Sequence, residues 1–347
     1  MEIENTESEE TSETGQLEDA KKKPEVIYVS SFPPHLQRLL QMLFWRRPAF
    51  SKADDLFCTN FIDAAIPHIV IEEGAKGCRW VRKSDDPILW LAHTDTAHNQ
   101  EGRQGYLLTQ DKSRALAGCT ESALGGDDTA GVWLLLELIK AGVGGTFGFM
   151  RGEERGGIGS KAMVDCMSKD WFKRFVMAIS LDRRGTGSII TRQMGQETCS
   201  SEFAEDLARV LDIGMKPDPT GSFTDSYNFR GLIPECTNLS VGFAGEHTQH
   251  ESLDLVHLTR LRKRLIKRWR DIARIKARRT PTIEREWGFG NIWRFGSGSV
   301  GGEKDRLLEL VTQWPHRATI LLRRQGIGAD NFWDLPTRVH TTKKDKK

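Results

Sequence analysis

"GGTFGFMRGEERGGIGSKAMV", Gly144–Val164, is the stretch whose reading decides the fold. Its first seven residues are apolar, small or glycine and read as a short buried strand, and its last seven open a helix. Between them stand Glu153 and Glu154, with Gly152 before them and Gly156 and Gly157 just after. The paired acids therefore sit at the carboxyl end of a strand, which is where open α/β sheets bind their ligands. An isolated acid pair is ordinarily a solvated loop charge. Its meaning depends on what else reaches the same edge.

Outward from this stretch, strand-like and helix-like segments alternate. Strand patterns fall at His68–Glu72, Cys78–Arg82, Ile88–Ala92, Phe175–Leu181 and Asn238–Phe243. Between them lie a largely apolar helix from Thr129 closed by Gly142, and helices near Ser160–Met167 and Ser201–Leu211. This alternation predicts an α/β sandwich: a mixed, largely parallel central sheet with helices on both faces. Further upstream, helical stretches are broken by Pro48 and Pro67.

Composition agrees with a packed core. Of the 347 residues, 38% are hydrophobic and 28% charged, enough for one large domain or two modest ones. No run approaches the roughly 18 apolar residues of a membrane-spanning helix, so no membrane partner is expected. The six cysteines are far apart with no CxxC pair, which favours reduced thiols and a cytoplasmic setting over a disulfide framework. The net charge of +2 conceals two opposite ends: residues 1–20 hold eight acids and no Lys or Arg, and Arg260–Arg279 holds eleven cations and one Asp. The acidic start reads as a disordered tail over residues 1–24. A catalytic domain is expected over 25–279, followed by an appended Trp-rich segment, 280–347, with a helix at Lys304–Gln313 and a basic end.

Other strands also finish in groups able to bind metal. "LAHTD" places His93 and Asp95 after one strand, "SLDRR" places Asp182 after another, and "GFAGEHTQHE" supplies His247 or His250 after a third. "GGDDTAG" puts Asp127 and Asp128 at the start of the buried helix, where Asp also serves as an ordinary cap. Taken singly, a buried histidine or a turn aspartate needs no metal. Together, imidazole nitrogens and carboxylate oxygens without thiolate form the donor set of catalytic zinc, a set that also admits manganese or cobalt.

In this order, "HTD", "GGDD", "GEERGGIGS", "LD" and "HTQHE" resemble the di-zinc exopeptidase superfamily of bacterial leucyl aminopeptidases, peptidase T and carboxypeptidase G, over about residues 88–255. The resemblance implies a zinc exopeptidase-like sandwich with two zinc ions bridged by Asp127. His93 and Asp182 would complete one metal site, and Glu154 and His247 the other. It makes Glu153 the general acid/base for a water bridged by the two ions, and Asp95 a partner that orients His93. "GSFTDSYNF" resembles a segment near the substrate pocket of aminopeptidase relatives, which offers Thr224 and Asp225 as substrate contacts. Gln249 stands where such relatives commonly carry Pro.

Carboxypeptidase and dipeptidase relatives usually insert a lid domain of about a hundred residues before the last histidine. Here Asp182 and His247 are 65 positions apart, which leaves no room for it. The expected activity is therefore that of an aminopeptidase on peptide or amide substrates. A deacylase or carboxypeptidase on the same scaffold is the alternative. The 29 residues His98–Gly126 are long for a loop and read as a hairpin or flap at the mouth of the site.

The basic segment near the end has Leu258, Leu261, Leu265, Trp269, Ile272 and Ile275 at helical spacing. An amphipathic helix packed on the sheet is the preferred reading; a nucleic-acid or polyanion patch over 260–279 is the other.

Overall fold

The computed structural model describes residues 29–281, apart from 67 and 119–121. The acidic start, the Trp-rich segment beyond 281 and the helix expected at Lys304–Gln313 lie outside the described residues.

Eight strands form the central sheet: β1 (Val70–Glu72), β2 (Cys78–Arg82), β3 (Ile88–His93), β4 (Thr146–Met150), β5 (Met177–Arg183), β6 (Ser188–Ile190), β7 (Lys216–Asp218) and β8 (Glu235–Ser240). Their spatial order is β7-β6-β8-β5-β3-β4-β2-β1. The four inner strands β8, β5, β3 and β4 run parallel. β2 joins β4 antiparallel and β6 joins β8 antiparallel, so the sheet is mixed with a parallel centre, as expected. Its strands alternate between two cores. Ile88, Trp90 and Ala92 of β3 enter one hydrophobic cluster, and Leu89 and Leu91 enter the other, the period-two signature of a strand covered on both faces.

The larger cluster is closed by α1 (Pro34–Met42), α3 (Gly126–Lys140), α6 (Ser201–Leu211) and α7 (Leu255–Ile272). The smaller lies under α4 (Ile158–Cys166) and α5 (Lys169–Phe172). α2 (Lys52–Phe57) begins at a Ser51 cap after the break at Pro48. α3 is buried on every side along most of its length, which explains why its apolar residues nearly encircle it. α7 is amphipathic: Leu258, Leu261, Leu265 and Ile272 are buried, and Arg262 reaches back to the buried Glu137 of α3. Arg260, Lys263, Lys267, Arg270 and Arg274 form an exposed stripe on its outer side.

β8 begins earlier than the sequence pattern indicates, because its first half is polar yet buried. Glu235 there accepts hydrogen bonds from Ser200 N at 2.7 Å and from the backbone of Arg278 and Arg279. The long connection after His98 does contain a hairpin, Tyr106–Leu108 with Arg114–Ala117. It extends a small antiparallel sheet with Ser252–Asp254 and Phe243–Ala244, which ties the hairpin to the segment that carries His247. Among the described residues no helix is long and apolar enough to cross a membrane.

Candidate metal centre

Four parallel strands deliver their carboxyl ends to one place. β3 ends in His93, whose Nδ1 lies 3.0 Å from the Asp95 backbone carbonyl. A carbonyl only accepts, so Nδ1 carries a proton, and Nε2 is the ring atom turned toward the carboxylates. That Nε2 lies 3.0 Å from Asp127 Oδ1 and 3.5 Å from Asp182 Oδ1. Asp127 turns its other oxygen to His247, with Oδ2 3.3 Å from Nε2, and the same Nε2 is 3.1 Å from Glu154 Oε1. His93, Asp127 and Asp182 thus form one triad of donor atoms, and Asp127, Glu154 and His247 a second, each within 4.8 Å. Asp127 belongs to both, with one oxygen for each.

The backbone around these groups is held by acids that do not join the triads. Asp95 is fully buried, and its carboxylate accepts three successive N–H groups: Gly152 at 2.8 Å, Glu153 at 3.2 Å and Glu154 at 3.2 Å. It supports the loop that carries both glutamates, and His93 is oriented chiefly by the Asp95 carbonyl. Asp128 accepts His93 N at 3.1 Å and Gly131 N at 2.8 Å, so it joins β3 to the start of α3 while acting as a cap. Thr224 donates to Asp182 Oδ2 at 2.6 Å. Asp225 is buried and accepts from Ser160 Oγ at 2.5 Å. Both residues therefore stand behind the triads. His250 is exposed and neighbours Gln249, so His247 is the histidine brought to the site.

Two further residues support the site from outside the triads. Glu251 accepts the N–H groups of Gly125 and Asp127, each at 2.9 Å, and so fixes the shared aspartate. Arg47, fully buried, donates to the Thr94 carbonyl at 2.5 Å and to Thr129 Oγ1 at 2.8 Å. Only the acid shortly after the last histidine hints at the first. Arg47 lies in a segment with no pattern pointing to the site.

Crowding and burial set the electrostatics. Burial, then the Asp182, Asp225 and Glu154 carboxylates, hold Glu153 well above the ordinary carboxylate range against the pull of His93. Burial and Asp127 push Asp182 up to about 7. His247 is raised to about 11 by its bonds to Asp127 and Glu154. Burial alone would lower His93, but Asp182 and Asp127 outweigh it and raise it well above its usual value. Such a knot of acids, each opposing its neighbours' ionisation, is stabilised by added positive charge. The buried Glu154 Oε1 faces His247 Nε2 of the same triad, at 3.1 Å. A cavity of about 90 Å³ opens onto the triads, walled in part by Glu153, Phe223 and Phe243.

The chain matches no protein-family model and no curated protein. Its backbone is similar to solved structures. A tripeptidase from Staphylococcus aureus aligns with a TM-score of 0.56 at 13% identity, over 69% of this chain and 98% of that one. The aminopeptidase PepT from Bacillus cereus aligns at 0.52 and 12%, over 69% and 98%. A TET aminopeptidase from a marine sediment archaeon, Thaumarchaeota, aligns at 0.53 and 12%, over 70% and 97%. The fold of this chain is accordingly the one shared by these tripeptidase and aminopeptidase structures.

Proposed function

We propose that this chain is a metal-dependent exopeptidase, an aminopeptidase acting on short peptides in the cytoplasm. Two zinc ions would be held by His93, Asp127 and Asp182 and by Asp127, Glu154 and His247. The observation that carries the reading is the pair of nitrogen/oxygen triads that share Asp127, one oxygen in each, with Glu153 beside them. The donors fit catalytic zinc and also accommodate manganese or cobalt. The described cysteines are unpaired thiols, in keeping with a reducing compartment.

When bound, the metal pair polarises the scissile carbonyl and makes water more acidic. The chain's own residues do the rest. Glu153 takes the proton of the attacking water and returns it to the leaving amine. Asp95 fixes where that carboxylate can stand, through its bonds to the N–H groups of residues 152–154. His93 is kept in one tautomer by the Asp95 carbonyl.

The test is to load the full chain with zinc, manganese or cobalt, count metal per chain, and follow hydrolysis of aminoacyl amides and free peptides before and after chelation. About two ions per chain with metal-restored hydrolysis is the expected result. Glu153→Gln should retain both ions and lose about 10²- to 10⁴-fold in kcat. Full turnover by that variant would remove Glu153 from the mechanism, and a metal-loaded chain that cleaves no peptide would remove the function.

A further inference from the structure

We propose that the exposed basic face of α7 is the docking surface for the chain's own acidic start, residues 1–20; the peptidase reading above is not needed for it. Arg260, Lys263, Lys267 and Arg270 stand exposed on that face at intervals of three and four residues, the spacing of side-chain neighbours on one helix surface. The ion pairs that α7 makes with described residues use its other cations: Arg262 with Glu137, Arg264 with Asp212, and Arg268 and Arg274 with Asp271. Four neighbouring like charges repel one another and attract a segment of opposite sign.

Residues 1–20 have that sign. They hold eight acids and no Lys or Arg, and Lys21–Lys23 follow, so the complement lies in the first twenty residues rather than in the whole start. The described chain also begins beside α7. Lys112 Nζ is 3.5 Å from Ser31 Oγ and lies over the Phe32 ring, and the carbonyl of the next residue, Ser113, accepts Leu255 N at 2.8 Å at the head of α7. Four residues on, burial and then Arg262 hold His35 below its ordinary pKa, with Lys263 and Lys140 adding to the effect against Glu137. The positive field of α7 thus reaches the start of α1.

Asp19 is ten positions before Val29, a reach of up to about 35 Å, whereas the stripe from Arg260 to Arg270 is about 15 Å long. A tether of this length gives the acids an effective concentration on the order of millimolar at the stripe, which a free polyanion has to match. Nucleic acid fits the stripe less well. The exposed large hydrophobic side chain of α7 is Val256, and Trp269 is packed against the core with Arg270 over its ring, so no open aromatic face is offered to a stacking base.

The full chain, as an equal mixture of ordinary and isotope-labelled protein, should be treated with a water-soluble carbodiimide, which joins a carboxylate to an adjacent lysine amine with loss of water, and the linked peptides identified by mass spectrometry. At about 20 mM salt, links from the acids of residues 1–20 to Lys263 and Lys267 within one chain are expected, and at least fivefold fewer at about 500 mM, where screening leaves a range of a few ångströms. Arg260→Gln/Arg270→Gln keeps both lysines and alters only exposed positions, so it should lower the same links at least fivefold. Links unchanged in that variant, links spread evenly over the surface lysines, or no links at all would overturn the proposal. Links found only between differently labelled chains would assign the stripe to a second copy and overturn it too. An equimolar oligothymidylate at micromolar concentration should leave the links in place; their loss would assign the stripe to nucleic acid instead.

Discussion

His98 shows how one side chain ties stability to pH. It is buried between Thr96 Oγ1 at 2.7 Å and Gln104 and the Ala123 carbonyl, each at 3.0 Å. Burial holds its pKa down to about 4 from 6.5. Between those values the unfolded chain binds a proton that the folded chain refuses, so stability falls as pH drops through that window and is untouched by this group above it. The loss should reach about 3 kcal/mol at the foot of the window. Urea unfolding at pH 7 and pH 4.5 should show a smaller difference in His98→Gln than in the unaltered chain; equal slopes would mean that His98 is not the group responsible. At this scale the sequence was legible where chemistry and position coincide: His93, Asp127, Glu154 and Asp182 each end a strand or open a helix. It was not legible where a residue acts through the backbone. Nothing in "HTD" tells that the Asp95 carboxylate serves three N–H groups some sixty residues later, and nothing near Arg47 tells that it will be buried against Thr94.

At the scale of elements, the entry to α3 decides whether the site forms. Gly131 packs so close to β5 that a Cβ there would meet the Leu181 carbonyl and the Asp128 carboxylate. Gly131→Ala should therefore destabilise the chain by about 1–3 kcal/mol. Because Asp128 also holds His93 N, the same substitution should weaken metal binding in a zinc titration. A variant with unchanged unfolding midpoint and unchanged zinc affinity would refute the close packing. The buried helix was legible from its nearly continuous apolar run. β8 was placed late because Glu235, Thr237 and Asn238 read as polar loop, and only the tertiary structure supplies the partners, such as Ser200 and the Ile190 carbonyl for Thr237, that let them be buried.

For the whole molecule, the acids gathered at one sheet edge oppose folding until something positive joins them. A ligand that binds only the folded state stabilises it by about 2.7 kcal/mol at a hundredfold excess over its Kd. Calorimetry should accordingly show Tm falling by about 5 °C or more when zinc is stripped by chelator, and recovering on its return. An identical Tm with and without metal would mean that the triads do not load. The alternation of strands and helices made the sandwich legible at this scale. The outer strands β6 and β7 were not, being three residues each and too short to show a period.

The strand order carries one more consequence. The neighbours at the centre of the sheet are far apart along the chain: β3 pairs with β4 and β5, and β5 with β8, across more than fifty residues each time. Contacts of such separation form late and slowly. Both triads draw on that centre, so partly folded chains hold their acids and histidines scattered. Refolding in zinc should then proceed at the speed set by sheet assembly, and uptake of the ion would serve as a clock for the last step.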